Sequence, residues 1–210
     1  MDEGGLAPLG GERELHKERD PGPLPHSWTR HTCIDLVNSR WMDHLGSGRS
    51  YDRLPLPEWR RAFLARYAGR LASRTSDDPE LADGLRALRA VLRPMLEAFG
   101  RSEPAAAADL HALNGVLAAS PQTRRLQAAA GGYRVVDTSE GPDWRWALAE
   151  VAASAAELLA DGDPSRVRVC ANPACSWMFY DETRNGSRRW CEGAICGNLL
   201  KVRRHRALRD

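Results

Sequence analysis

Lysine is almost missing from this 210-residue chain, which has only Lys17 and Lys201 against 28 arginines. Guanidinium groups grip phosphate in a planar fork, but arginine richness also follows from biased codon usage and by itself says little. No apolar run approaches the roughly 18 to 20 residues of a membrane span. The opening MDEGGLAPLGGERELHKERD has no apolar stretch flanked by positive charge, so no signal peptide is expected and the expected location is cytoplasmic. Glycine-rich phosphate loops, nucleophile elbows and paired metal carboxylates are missing too, and no enzyme is expected. No internal repeat is evident. What remains is 42% apolar and 28% charged, a globular composition that excludes wholesale disorder and fibres. The length suits one medium domain or two small ones.

The formal net charge of +2 hides an asymmetry. Residues 166–210 carry +6 and residues 1–165 carry −4. Opposite signs in two parts of one chain suggest two parts with different partners.

Cysteine is scarce but concentrated. Of five, four fall within 27 residues, Cys170, Cys175, Cys191 and Cys196, in the pattern C-x4-C-x15-C-x4-C. Matched pairs at such spacing, without an export signal, point to zinc rather than disulfides. Four thiolates close a tetrahedron around Zn²⁺ and leave no position for water or substrate, so the expected site is structural. Cys33 has no evident partner.

Periodicity and punctuation divide the rest. Residues 1–27 are rich in Gly, Pro and charge and read as a disordered tail. HTCIDLVNS at 31–39 reads as a buried strand, on which His31, Cys33 and Asp35 would share a face. A loop is expected from Ser39 to Leu56. Pro57 opens a helix with Trp59, Phe63 and Tyr67 at four-residue intervals. Asp77-Asp78-Pro79 starts a longer one, with Leu81, Leu85, Leu88, Leu92, Leu96 and Phe99 in helical period and a kink expected at Pro94. A third runs from Pro104 to Ala119 with Leu110, Leu113 and Leu117 inward. TRRLQAA and YRVVDTS flank the AGG turn of a hairpin. Asp143 begins a last helix that ends at Gly162.

In the cysteine-rich part, the first pair is expected on a knuckle and the 15-residue spacer is expected to fold as a hairpin about Asn185-Gly186. GNLLKVRRHRALRD then forms a helix. The fold class is therefore α+β: a mostly helical first domain over 28–163 with a few strands, then a small four-cysteine finger over 166–210. That finger is treble-clef-like, a hairpin plus a basic C-terminal helix. Pro164 is the expected hinge.

These residues carry a resemblance. CANPACSWMFYDETRNGSRRWCEGAICGNLLKVRRHR resembles the CGNR zinc finger, with its F-x-D, R-R-W-C and C-G-N-R signatures and a basic helix behind them. The preceding region, with LVN near its start and LN in HALNGVL, resembles the ABATE domain. The resemblance implies a bacterial, stress-responsive transcription regulator with a DNA-binding finger and a sensory domain. The sequence departs from the signature at Leu199, where the family has arginine; the zinc ligands are untouched by this.

Double-stranded DNA is the expected partner of the basic part, through Arg188, Arg189, Asn198, Lys201, Arg203, Arg204 and Arg206. Asn198 could read an adenine edge or cap the helix. Four thiolates on Zn²⁺ sum to −2 and trim the local charge to about +4. The first domain is expected to take an unidentified small-molecule effector or a protein partner, in a pocket near Asn38, Trp41, Trp59 and Trp146, and to allow a homodimer. The alternative is an interaction module whose finger docks on a protein instead of DNA. Chelation is expected to unfold the chain from about Val167 onward and to spare the helical domain.

Overall fold

In a computed structural model of the chain, which describes residues 28–67, 77–119, 122–139 and 143–209, the run at 31–39 is a short helix, α1 (Thr32–Val37), and not a strand. All six of its residues are buried. No polar face sets a period there, so composition alone does not separate helix from strand. A polar clamp favours the helix: the Asp35 carboxylate accepts the Thr29 N–H at 3.0 Å and the Tyr67 hydroxyl. On an extended strand Asp35 would stand about 20 Å from Thr29. The shared strand face of His31, Cys33 and Asp35 therefore does not form. The 1–27 tail lies outside the described residues.

The expected loop between Ser39 and Leu56 contains a small antiparallel hairpin, β1 (Arg40–Met42) and β2 (Ser50–Asp52). Trp41 and Tyr51 are partners in register and stack with centroids 4.8 Å apart. Helix α2 (Pro57–Tyr67) buries Trp59 and Phe63, stacked at 4.8 Å, and Trp28 leans on both.

Asp78 caps α3 (Pro79–Gly100) by accepting the Glu80 N–H at 2.8 Å. Leu81, Leu85, Leu88, Leu92 and Leu96 form its buried stripe, as their spacing requires. The helix continues past Pro94 to Gly100. Helix α4 (Ala107–Ala118) buries Leu113, but Leu110 points outward, 48% exposed, contrary to the helical-face expectation. Strands β3 (Gln122–Ala129) and β4 (Gly132–Ser139) form the expected hairpin, with Gly131 at φ 84° in the turn. Leu126, Tyr133 and Val135 on this hairpin are exposed.

Helix α5 (Asp143–Asp161) presents Ala147, Leu148, Val151, Ala152, Ala155 and Leu158 to the core. Small residues let α3 and α5 approach closely: a Cβ on Gly84 would lie 2.3 Å from a Leu148 methyl. After α5 a 3-10 turn (Pro164–Arg166) is tied by the Asp163 carboxylate to the Ser165 N–H at 2.9 Å. Strand β5 (Val167–Val169) then pairs antiparallel with β6 (Met178–Tyr180), and helix α6 (Asn198–Ala207) closes the fold.

The apolar core crosses from the helical part into the cysteine-rich part. Val167 and Met178 belong to the same buried cluster as α1, α3 and α5. The side chain of the fully enclosed Asn38 acts as a surrogate strand neighbour: its amide donates to the Met178 carbonyl at 2.8 Å and its oxygen accepts the Met178 N–H at 2.9 Å. At the end of α3, Gly100 allows equally close approach, since a Cβ there would lie 2.5 Å from the Val167 carbonyl oxygen.

Candidate zinc centre and basic face

Strands β5 and β6 set the first half of the site. Cys170 follows β5, Cys175 precedes β6, and the Asn172-Pro173 turn between them closes through the Cys175 N–H on the Asn172 carbonyl at 2.8 Å. The hairpin thus flanks the knuckle. The spacer from Cys175 to Cys191 supplies β6 and otherwise an irregular loop, in which Gly186 takes φ 56° beside Asn185. The finger does contain a hairpin, but it lies one segment earlier than the Asn-Gly pair suggested. Cys191 ends that loop, and Cys196 sits in a single π-turn (Gly193–Gly197) leading directly into α6.

The four sulfurs all lie within 4.8 Å of one another. Cys191 and Cys196 are 3.5 Å apart, and Cys175 and Cys191 3.9 Å. Tetrahedral zinc with Zn–S bonds of about 2.3 Å needs sulfurs about 3.8 Å apart, so the donor set fits the ion. Four thiols this close favour a dication that takes them all as thiolates.

Buried polar side chains brace the ligands. Asn172, fully enclosed, donates to Cys196 Sγ at 3.5 Å and to the His44 carbonyl at 2.8 Å, joining the knuckle to the β1–β2 loop. Asp181, also enclosed, accepts the backbone N–H groups of Thr183 at 2.9 Å and Arg188 at 2.7 Å. Burial opposes ionisation there, yet hydrogen bonds from Thr183 and Arg188 hold its carboxyl below the usual range. Trp177 and Trp190 pack against the cysteine cluster, and a Cβ on Gly197 would sit 3.0 Å from the Trp190 ring.

The basic residues divide by geometry. Arg188 folds back on the finger: its guanidinium donates to the Trp190 carbonyl at 2.9 Å and to the Cys191 carbonyl, and lies 4.5 Å over Phe179. Arg203 reaches the β1–β2 loop, donating to the Leu45 carbonyl at 2.6 Å. Arg189 stands exposed beside Trp190. Asn198, Lys201 and Arg204 lie three residues apart along one exposed face of α6, while Arg203 and Arg206 lie on the other. Asn198 is not a side-chain cap; its amide donates back to the Ala194 carbonyl at 3.2 Å.

Other residues singled out by sequence do not converge. Asn38 is spent on β6, Trp59 is core, and Trp41 and Trp146 lie on separate elements. The Cys33 thiol is pushed up to about 11 by burial, which makes it a poor nucleophile. What sequence reasoning missed is Asn172, whose only signal is the Asn-Pro turn, and the bracing role of Asp181, which the sequence offered only as the acid of the F-x-D signature.

Two family models match the chain. One, ABATE, described as "Putative stress-induced transcription regulator", matches residues 30–162; the other, the CGNR zinc finger, matches residues 166–209. No curated protein matches the chain. The four cysteines form a single structural zinc site.

Proposed function

We propose, from the premise that the chain belongs to the ABATE family and ends in a CGNR zinc finger, that it is a zinc-containing transcription regulator that binds double-stranded DNA through α6. The observation that carries this reading is the exposed face of Asn198, Lys201 and Arg204, held out by a helix whose start is fixed by the zinc ligand Cys196. Zinc supplies no chemistry for a reaction here; it orders the knuckle so that α6 leaves at a set angle. Lys201, Arg204, Arg206 and Arg189 then neutralise phosphates, and Arg203 holds the helix to the first domain. Arg188 contributes its charge, its donors being used within the finger. The helical domain receives a signal, a small molecule or a partner, and passes it on through the shared core. Such a signal acts only by favouring one arrangement of the two parts.

Duplex binding by the full zinc-loaded chain, measured against salt, tests the reading. Binding should weaken steeply with salt, and the double variant Lys201→Ala, Arg204→Ala should flatten the log–log slope by about two, one unit for each lost phosphate contact. Duplex binding absent even at low salt would overturn it. The finger would then be a docking surface for a protein.

A further inference from the structure

The helical part, with Ser176 of the finger at its edge, forms an open, arginine-lined cavity of about 530 Å³ that no role above uses. Its wall is a face of α3: Arg86, Arg89 and Arg93 are spaced three and four residues apart and all line it, with Arg40 of β1 as a fourth guanidinium. The one acid in the lining is Asp52, and it is occupied by Arg89, which bonds both carboxylate oxygens at 2.6 and 2.7 Å. Arg86 is paired with the exposed Asp83, and Arg93 with Glu97. Arg40 has no ion pair among the described residues, although it lies near enough to Asp52 to act on its carboxyl.

Apart from Ser176 the rest of the lining is apolar. Val37, Trp41, Met42 and Pro94 face the same space. One polar group beside it lacks a partner. The Trp41 indole N–H is buried with no hydrogen-bond acceptor among the described residues.

We propose that this cavity is the effector site and that it takes a small organic carboxylate on an apolar body. A guanidinium fork matches a carboxylate at two points, and the apolar part of the wall rewards a hydrocarbon or aromatic body. A bare inorganic anion would use the arginines but leave Val37, Met42 and Pro94 without a partner.

The finger is within reach of the same ligand. Ser176, next to zinc ligand Cys175, lines the cavity; its hydroxyl accepts the Met42 N–H at 2.8 Å and its carbonyl accepts from Arg93 at 2.8 Å. A carboxylate that engages Arg93 competes with that carbonyl, and so loosens or re-seats the knuckle beside the metal. The inference rests on the sensory reading of the first domain, while the binding event itself needs no DNA.

Nuclear magnetic resonance titration of the full zinc-loaded chain, without DNA, tests it with three probes: benzoate, its neutral isostere benzamide, and inorganic phosphate. Benzoate should give saturable shifts at the indole N–H of Trp41 and the amide of Ser176 at concentrations up to about 10 mM, and benzamide should not. Arg40→Gln, an exposed position outside the core, should weaken benzoate about tenfold and leave the remaining spectrum intact. Absence of saturable shifts with benzoate, equal response to benzamide, or an unchanged affinity in Arg40→Gln would each overturn the proposal. Saturation by phosphate with no response to benzoate would overturn the carboxylate class. None of these outcomes bears on duplex binding, so the two readings fail separately.

Discussion

The helical part and the finger reach order by different physical means. The first is held by apolar burial: the leucine stripe of α3 meets α1 and the small-residue face of α5, and the cluster needs no special chemistry. The finger is too small for such a core. Its two strands are three residues each, its own buried cluster is three cysteines edged by Trp177, Trp190 and Ile195, and its loop is stitched by side chains bonded to backbone. Asp181, Asn172, Arg166, Arg168 and Arg188 supply those stitches. The lesson is that a small unit replaces area with metal bonds and directed hydrogen bonds, and borrows what it lacks from a neighbour. Val167 and Met178 are what the finger borrows.

Metal removal breaks the comparison most severely. Structural zinc contributes on the order of 10 kcal/mol to small cysteine sites, so chelation should unfold the finger outright. Because Val167 and Met178 lie in the common core, the helical part should lose melting temperature as well, in place of the sparing that the sequence suggested. Calorimetry of the full chain with and without a chelator measures this; a helical transition that stays put would mean the shared core contributes little.

Asn38→Ala sharpens the same boundary at a smaller scale. It removes both bonds to Met178 and leaves a buried donor and acceptor without partners. The expected loss is about 2 to 4 kcal/mol in urea unfolding, with zinc retained. A neutral substitution would mean that β6 is positioned by packing alone.

The smallest expected effect is a dependence on acid. Burial tends to raise the Asp52 carboxyl, but the bidentate bond from Arg89 outweighs it and holds the group below its usual value. A group depressed in the folded state contributes stability above its unfolded value, about 3.9, and loses it as pH falls through the folded one. Stability should therefore decline below about pH 4, and Asp52→Asn should be less stable at neutral pH with a shallower acid limb. An unchanged limb in that variant would assign the acid sensitivity to other carboxylates, Asp181 among them.

Much of the architecture was legible before any coordinates. The period of Leu81 to Leu96, the Asp78 cap and the Gly131 turn each encode their element locally, and each is present. The metal ligands were legible because zinc fixes both residue type and spacing. The run at 31–39 was not, since a segment buried on all sides shows no period, and the Asp35 clamp depends on Tyr67, 32 residues away. The finger's hairpin was misplaced for a related reason: strands of three residues carry no pattern of their own, and β5 is selected by its partner β6 and by the core beneath it.

Composition and spacing by themselves determined that this chain is a charge-divided protein with a helical first part and one zinc centre, because those features rest on local periodicity and on coordination chemistry. Only the tertiary structure decided that the helical part and the finger share a core, that Arg188 and Arg203 are tied to backbone carbonyls while Lys201 and Arg204 face out, and that four arginines from two elements line one cavity. Those outcomes depend on which backbone lies beside which, and distances across a fold are not written in any window of sequence.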